Sequence, residues 1–358
     1  MTSSPEKQNS RTPTPILSIA PMLDVTDRHF RYFMRLLTKH TWLYSEMITA
    51  NAIMHGDREK LLGFSASEHP LALQIAGDDP RQLAECARIG EDFGYDEINL
   101  NVGCPSDRVQ KGSFGACLMA RPDVVAAAVE AMSKATALPV TVKHRIGIDM
   151  LDRYQDLRHF VETVSAAGCD RFIVHARIAL LNGKSPKENR KIPPLRYQDV
   201  YRLKKEFPHL FIVINGGITT LQSAAEHLQY VDGVMIGRAT YENPYLFALA
   251  DAVIFQEHGQ PPSRREIIES YMSYMMEQAE RGANIQAFKR PLMGLFVGQP
   301  RARFWRRILT ENIRSTEQLA RLQDFLTIFP DKVLDERPAI EQEGKEAEKN
   351  RNMRKSRP

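Results

Sequence analysis

The stretch LALQIAGDDPRQLAECARIGEDFGYDEINLNVG, residues 71–103, contains one complete strand–helix–strand unit. Its two ends, 71–77 and 97–103, are short apolar runs of the kind found in buried strands. Between them, residues 80–94 repeat apolar side chains at helical spacing. Because a helical crossover joins neighbouring strands of a parallel sheet, this stretch predicts a βαβ unit.

The same alternation extends along most of the chain. Eight apolar runs are predicted strands, and most are separated by segments with helical periodicity: 16–22, 42–47, 71–77, 97–103, 139–147, 171–177, 210–217 and 233–239. Eight strand–helix units predict a (β/α)8 TIM barrel, which we place at 16–259. A doubly wound open sheet is the alternative fold.

The strand pattern stops before residue 260. The segment PPSRREIIESYMSYMMEQAERG, 261–282, carries Ile, Tyr and Met at helical spacing, with Ser263 as a candidate N-cap. We therefore expect a small all-α domain at 260–333, joined to the barrel through GQPP. Residues 1–15 are rich in Ser, Thr and Pro, and 334–358 are charged with few apolar residues. Both ends are predicted to be disordered.

Composition narrows the class of protein. The chain has 358 residues and a formal charge of +4, which is compatible with nucleic acid but weak evidence for it. Its four cysteines form no C-x-x-C pair, which argues against a zinc site and predicts a reducing compartment, the cytoplasm. We find neither a secretory signal in the first 15 residues nor an apolar run long enough to span a bilayer. We expect a monomer without a metal.

The predicted strand ends carry special residues, and chemistry in such barrels takes place at the C-terminal ends of the strands. The last two predicted strands end in Gly216-Gly217 and in Gly237-Arg238. Barrels often bind a phosphate between these two loops. The alternative is that the paired glycines only make a tight turn.

Lys143 and His175 end adjacent predicted strands, with Gln74 nearby in barrel order. Together they predict a polar ring around a phosphate-anchored ligand. A lysine at this place is also compatible with the Schiff-base chemistry of an aldolase, which the pattern leaves open.

Two segments are strongly basic. Residues 281–307 contain seven Lys or Arg and no Asp or Glu, and 177–196 contain six basic residues and one acidic. One falls in the helical domain and the other in the loop after the sixth predicted strand. This arrangement favours a phosphate backbone lying between them, and the alternative is a solvated basic face.

At this point the motifs indicate a family. The chain resembles the tRNA-dihydrouridine synthases, most closely their bacterial A-type members, over nearly all of 16–330. The matching stretches include APMLDVTDRHFRYFMR (20–35), GYDEINLNVGCPSDRVQKGSFGACLM (94–119), PVTVKHRIGI (139–148), SPKENRKIPPL (185–195) and NGGI (215–218). Two departures are His144, where the family usually has a small hydroxyl residue, and Ile178 with Leu180, where Lys and Trp are common.

The resemblance implies an FMN-containing barrel with a helical RNA-binding domain. It implies NADPH-driven reduction of the uracil C5=C6 bond at positions 20 and 20a of the tRNA D-loop, with Cys104 as proton donor. The residues implied to hold FMN are Pro21, Met22, Leu23, Gln74, Lys143, His175, Asn215, Gly216, Gly217, Gly237 and Arg238. The residues implied to contact tRNA are Asn101, Lys187, Arg190, Arg303 and Arg306.

This chemistry explains why a cysteine would lie on the predicted turn Gly103-Cys104-Pro105. The C5=C6 bond is conjugated to C4=O, so hydride addition at C6 leaves an enolate that needs a proton at C5. An ordinary thiol holds its proton near neutral pH and can give it up. Cys86 and Cys169 are predicted on helices as packing residues, and Cys117 is the rival donor. A reductase of small pyrimidines and a non-catalytic RNA-binding protein are the alternative functions.

Overall fold

A computed structural model describes residues 16–106, 112–181 and 184–339. The predicted disorder at 1–15, and in the tail from 340 onward, lies outside these residues. The strands form one parallel sheet: β1 (Ile16–Ile19), β2 (Leu43–Tyr44), β3 (Ile48–Thr49), β4 (Leu71–Ala76), β5 (Glu97–Val102), β6 (Val140–Arg145), β7 (Arg171–His175), β8 (Phe211–Asn215) and β9 (Gly233–Ile236). All eight predicted strands are present.

The second predicted strand, 42–47, contains only the short strand β2, and β3 follows just beyond it; β2 and β3 pair with the two ends of the same neighbour, β4. The sheet order is β1-β9-β8-β7-β6-β5-β4-β2. It closes where the Ile19 amide donates to the Trp42 carbonyl at 2.9 Å and the Trp42 amide donates to the Leu17 carbonyl at 3.0 Å. The fold is therefore the predicted TIM barrel, and the open-sheet alternative is wrong.

Helices cover the outside of the barrel. They are α1 (Arg28–Arg35), α2 (Ala50–His55), α3 (Arg58–Leu62), α4 (Pro80–Asp92), α5 (Pro122–Ala135), α6 (Tyr154–Ala166), α7 (Tyr197–Glu206), α8 (Leu221–His227), α9 (Ala239–Glu242) and α10 (Ala250–Val253). Helix α4 shows how the sequence sets them: Asp79 caps the N-terminus, Pro80 occupies the first turn, and Leu83, Cys86 and Ile89 are buried.

A helical segment follows: α11 (Arg264–Glu280), α12 (Ile285–Leu292), α13 (Ala302–Glu311), α14 (Thr316–Ala320) and α15 (Asp331–Asp335). Ser263 and Glu266 form a reciprocal capping box at the start of α11, as the sequence predicts. The boundary expected at 333 falls inside α15, and beyond it Arg337 pairs with Glu266 at 2.6 Å. The ordered part of this segment therefore extends past its predicted end.

The helical segment packs on the helix that follows β1. His29 Nδ1 lies 2.8 Å from the Tyr274 hydroxyl, and the Tyr32 ring stacks on Tyr274 with centroids 3.7 Å apart. Since α1 begins at the C-terminal side of β1, this contact places part of the helical segment beside the mouth of the barrel. Within the described ranges, no helix has the length and apolar character needed to cross a bilayer.

Candidate active site

Cys104 lies two residues beyond the end of β5, at the mouth of the barrel, and is half-buried. The side-chain oxygen of Asn101 accepts hydrogen bonds from the amides of Gly103 (3.2 Å) and Cys104 (3.0 Å). The Cys104 thiol donates to Ser106 Oγ at 3.5 Å. The turn that carries the thiol is therefore fixed through its backbone, which leaves the thiol itself weakly held.

A chain of buried hydrogen bonds, which we call the polar ladder, runs through the barrel to this turn. The Asn101 amide donates to Gln74 at 2.8 Å, Gln74 donates to Asn99 at 2.8 Å, and Asn99 donates to the Thr141 hydroxyl at 2.8 Å. Thr141 donates in turn to Glu97 at 2.6 Å. Because every member is paired, the ladder orients Asn101 and so the turn.

The lower end of the polar ladder is anchored by the Glu97 carboxylate, which is fully buried. Besides Thr141 it accepts from the Tyr44 hydroxyl at 2.8 Å and from the Arg171 guanidinium at 2.7 Å. Burial and the neighbouring Glu97 raise the pKa of Tyr44 well above its usual value. The interior of the barrel thus contains a connected network of polar side chains that rigidifies the site.

Arg145 connects the cysteine turn to the loop that follows β7. Its buried guanidinium donates to the carbonyls of Gly103 (2.9 Å), Ile178 (2.9 Å) and Asn189 (3.3 Å). These acceptors are backbone groups on two separate loops. Arg145 therefore ties the position of Cys104 to that of the basic loop.

Asn189 holds that basic loop in shape. Its side chain is fully buried, accepts from the Leu180 amide at 2.7 Å and donates to the Leu180 carbonyl at 2.8 Å and the Lys184 carbonyl at 3.2 Å. Lys187 and Arg190, the two predicted tRNA contacts of the loop, flank Asn189 and are exposed. The buried Asn189 thus fixes the backbone of a loop that carries two exposed cations.

Five cationic side chains gather at the mouth, within electrostatic range of one another: Lys143, Arg145, Arg177, Arg190 and Arg238. In the described part of the chain, none of them forms an ion pair with a carboxylate. Placing several cations together without a carboxylate is costly where they are shielded from solvent, as Arg145 is, unless an anion joins them. The donor set therefore fits a ligand that carries a phosphate and further acceptor atoms.

Lys143 and His175, the two residues predicted to form the polar ring around a ligand, are uncharged or lose their charge easily. Burial, aided by Arg145, lowers the pKa of Lys143 to about 7. Burial and then Arg145 and Lys143 lower the pKa of His175 well below its usual value. Lys143 Nζ donates to Asn215 at 3.3 Å, and Asn215 donates to the Met235 carbonyl at 2.7 Å. Both groups are poised to respond to a bound anion.

The glycines predicted to cradle a phosphate are shaped for close approach. A Cβ on Gly216 would meet the His175 ring at 2.8 Å, and one on Gly217 would meet Leu195 at 2.5 Å. Both have positive φ, +118° and +74°. A Cβ on Gly237 would meet only Ala20, at 3.7 Å, which is an ordinary van der Waals contact. A flavin phosphate fits this cradle and the cations around it.

The other predicted flavin residues differ in their placement. Pro21, Met22 and Leu23 follow β1 at the mouth, where Leu23 is 63% exposed. Gln74 is not a rim residue: it is 1% exposed and both ends of its amide belong to the polar ladder. Asn101, predicted to contact tRNA, is also mostly buried and uses its amide oxygen on the cysteine turn.

The remaining cysteines have packing roles. Cys86 is buried on α4, where burial raises its pKa to about 12. Cys169 is buried too, but it lies between α6 and β7 rather than on a helix as predicted. The thiol of Cys117, the rival proton donor, donates to the Phe114 carbonyl at 3.0 Å, and burial raises its pKa. Cys104, whose thiol makes only one long contact, therefore stays the predicted proton donor.

The basic segment of the helical part does not form one continuous charged face. Arg303 and Arg306 are exposed on α13, three residues apart. Lys289 is only 4% exposed and lies off the surface, and the surface charge of Arg281 is paired with Glu277 at 2.7 Å. Trp305 is fully buried and donates to the Leu292 carbonyl at 2.9 Å, as its predicted packing role requires.

Sequence reasoning missed the residues that hold the site together. Arg145 and Asn189 lie inside quoted motifs, yet nothing in their spacing indicates that one guanidinium joins two loops. His144, the noted departure, is fully buried between Phe160 and Phe172, and its Nδ1 lies 2.7 Å from the Arg145 carbonyl. It packs on the helix side of β6 and not in the site.

Comparisons with known proteins agree with this geometry. A family model described as dihydrouridine synthase matches residues 18–329. Similar curated proteins are called tRNA-dihydrouridine(20/20a) synthase: one from Synechocystis sp. is 64% identical over 83% of this chain and 89% of its own length. The protein from Shewanella oneidensis is 54% identical over 82% of this chain and 88% of its own length. The protein from Salmonella typhimurium is 51% identical over 92% of this chain and 99% of its own length.

Among solved structures, a complex of 2-naphthoyl-CoA reductase with 2-naphthoyl-CoA matches with a TM-score of 0.52 and 12% identity. The match covers 65% of this chain and 49% of that chain. At this identity the likeness concerns the barrel fold alone.

Proposed function

Since the chain belongs to the dihydrouridine synthase family, we propose that it reduces the C5=C6 bond of uridine to 5,6-dihydrouridine in tRNA. The relatives' name specifies positions 20 and 20a, and we propose the same D-loop positions here. The observation that carries the proposal is the thiol of Cys104, fixed at the barrel mouth beside a cluster of unpaired cations.

FMN is the proposed cofactor. The backbone at Gly216, Gly217 and Gly237 would receive its phosphate, which Arg238 would neutralise, while Lys143 and His175 would face the ring system. Pro21, Met22, Leu23, Gln74 and Asn215 complete the proposed set. When bound there, FMN supplies the hydride that adds to C6 of the base, after reduction by NADPH.

Cys104 is the proposed acid. Its S–H bond breaks as the new C5–H bond forms, and the thiolate that remains lies within electrostatic range of Lys143, Arg145 and Arg190. Cationic neighbours favour a thiolate. The same chain residues that attract the anionic cofactor therefore also stabilise the product state of the donor.

Lys187, Arg190, Arg303 and Arg306 are the proposed contacts to the tRNA backbone, since all four are exposed cations without a carboxylate partner among the described residues. Phosphate contacts position a nucleic acid without reading its sequence. The target base must leave its stack to reach Cys104, which costs a few kcal/mol that backbone contacts offset. Asn101, beside the thiol, is the proposed contact to the base.

The proposal is tested with purified protein, NADPH and an unmodified tRNA transcript. The preparation should be yellow, should release FMN on acid treatment, and should form dihydrouridine measured by mass spectrometry of digested tRNA. A colourless protein that cannot be reconstituted with FMN contradicts the proposal. Trapping of Lys143 by borohydride with an aldehyde or ketone substrate would then support the aldolase alternative.

A further inference from the structure

The loop after β6 presents an apolar tip at the barrel mouth that the proposed chemistry does not use. Met150 is 90% exposed and Leu151 40% exposed. Most of the large apolar side chains exposed in the described residues share this end of the barrel, in loops that follow β1, β6 and β7: Leu23, Met150, Leu151 and Ile192. A solvated loop would ordinarily carry polar residues there, so an apolar tip indicates a contact surface.

The tip is built rigidly. Ile148 and Leu151 exchange backbone hydrogen bonds of 3.1 and 2.7 Å, which makes Asp149 and Met150 the two central residues of a tight hairpin. Asp149 takes the left-handed φ of +39° that such a turn requires. At the base, a Cβ on Gly147 would meet the Leu151 carbonyl at 2.3 Å. The hairpin at residues 148–151 is therefore held in one conformation by its own backbone.

The hairpin is also docked on the neighbouring loop. The Asp149 amide donates to the Ala179 carbonyl, and the Ala179 amide to the Gly147 carbonyl, both at 2.9 Å. The Asp149 carboxylate accepts from the Leu181 amide at 2.8 Å. On its other side the Arg196 guanidinium donates to the Asp152 carbonyl at 2.7 Å. The tip thus belongs to the same rigid body as the basic loop.

The loop on which the hairpin is docked carries exposed cations, while Asp149 and Asp152 belong to the hairpin itself. In this loop, Asn189 lies among the exposed side chains of Lys187, Arg190 and Lys191. None of these three cations has a carboxylate partner in the described part of the chain. An apolar tip beside a basic loop fits a ligand that combines flat apolar faces with phosphates. Nucleic acid has this combination, and exposed base faces appear where a nucleotide leaves its stack.

We propose that the Met150 tip is an apolar wedge that packs against the bases flanking the target nucleotide and fills the space left when that nucleotide enters the barrel. This inference rests on the proposed function and adds a residue that stabilises the extruded state. The flexible thioether of methionine adapts to any base, so the wedge would favour extrusion without reading sequence.

The test compares Met150→Ser with Tyr230→Ser. Tyr230 is 55% exposed, but it lies before β9, at the opposite end of the barrel. Met150→Ser should lower kcat/KM for tRNA about tenfold, whereas Met150→Leu and Tyr230→Ser should leave it within about twofold. In Met150→Ser, thermal stability, FMN content and NADPH oxidation without tRNA should not change, because a side chain that is 90% exposed contributes little to any of them.

Direct contact is tested by fluorescence. A tryptophan introduced by Met150→Trp should change its emission when tRNA binds, beyond the change shown by the wild type, and Tyr230→Trp should not. Wild-type kcat/KM in Met150→Ser overturns the inference, as does an unresponsive Met150→Trp. A wild-type dimer that Met150→Ser dissociates, with tRNA kinetics unchanged, would assign the tip to a second copy. A wild type that forms no dihydrouridine refutes the proposed function instead.

Discussion

Cys104 is held by its neighbours more than by its own side chain. Asn101 binds the amides of residues 103 and 104, and Arg145 binds the carbonyl of Gly103, so the turn is fixed from both sides. The thiol keeps one long contact, to Ser106. A general acid needs this combination, because it must stay aimed at the substrate while its proton remains free to leave.

Replacement of Cys104 by alanine should therefore remove one chemical step and little else. Cys104→Ala should keep its FMN and its rate of NADPH oxidation without tRNA, while dihydrouridine formation falls about 10²–10⁴-fold. Single-turnover formation of dihydrouridine measures the effect. Cys117→Ala is the matched control, since its thiol is engaged by the Phe114 carbonyl. Loss of activity in that control alone would mean that the donor is the other cysteine.

Lys143 should make FMN affinity depend on pH. In the ligand-free protein its pKa is about 7, lowered by burial and by Arg145, so the side chain is mostly uncharged above that pH. A bound anion favours the charged form and raises the pKa. FMN binding must then take up a proton above pH 7, and the dissociation constant should rise with pH there, by at most about tenfold per unit.

Titration of apoprotein with FMN between pH 6 and 9 measures this dependence. His175 stays neutral over this range, because burial and the neighbouring cations hold its pKa well below the usual value. Lys143→Met should bind FMN more weakly and without the pH dependence. Repeating the titration with Cys104→Ala separates the lysine from the nearby thiol. A flat profile in the wild type would contradict this role of Lys143.

At the scale of elements, the site depends on how two loops are held by the strands. The polar ladder crosses β4, β5 and β6, and its hydrogen bonds connect the floor of the barrel to the cysteine turn. The basic loop after β7 depends on Asn189, which replaces regular secondary structure with side-chain hydrogen bonds to backbone. Rigid strands thus position groups that loops carry.

Thr141→Val tests the polar ladder, because it removes one hydroxyl at nearly constant volume. The change leaves Asn99 without an acceptor and removes a donor from Glu97, both fully buried. We expect the free energy of unfolding to fall by about 1–3 kcal/mol, measured by urea denaturation. Thr327→Val, at an exposed position, should stay within about 0.5 kcal/mol. Equal effects of the two substitutions would show that the ladder contributes little to stability.

Asn189→Ala tests the basic loop. Without the bonds to Leu180 and Lys184, the side chains of Lys187 and Arg190 lose their fixed positions. Ordering two long side chains costs about 1–3 kcal/mol on binding, so KM for tRNA should rise about tenfold. FMN content should be retained. Steady-state kinetics against tRNA concentration measures the change, and an unchanged KM with a lower melting temperature would make Asn189 a purely structural residue.

At the scale of the whole molecule, the barrel and the helical segment are joined by aromatic and polar contacts around Tyr274, so both present their charges as one body. If tRNA lies across both, Arg303→Ala with Arg306→Ala should weaken its binding. Each lost phosphate contact lowers the slope of log K against log salt by roughly 0.7 for a single strand. The double substitution should therefore flatten the slope by about 1.4.

Filter binding of tRNA over a range of salt concentrations measures the slope. The matched control is Lys134→Ala with Lys205→Ala, two lysines in the last turns of α5 and α7, at the opposite end of the barrel. That pair should leave both affinity and slope unchanged. Unchanged binding by the Arg303 and Arg306 variant would instead mean that this face of α13 is only solvated.

The sequence by itself determined the architecture, because the strands and helices follow from patterns of neighbouring residues. Apolar runs alternating with helical periodicity predict eight parallel strands, and parallel strands of this number close into a barrel. The Gly-Cys-Pro turn and the glycines at 216 and 217 could also be recognised in the sequence, since a position that requires positive φ favours glycine. The structure places these residues at the strand ends, as the sequence predicts, and their roles remain the proposals made above.

Only the tertiary structure decided how these pieces cooperate. Gln74 and Asn101 joined an internal hydrogen-bond network, Lys289 left the basic face for the interior, and Arg145 joined two loops more than 30 residues apart. Sequence spacing carries no record of such contacts, because hydrogen-bond partners are chosen by which strands lie side by side. The exposure of Met150 is likewise a property of the folded hairpin, since an apolar residue in a sequence reads as core until the surrounding surface is known.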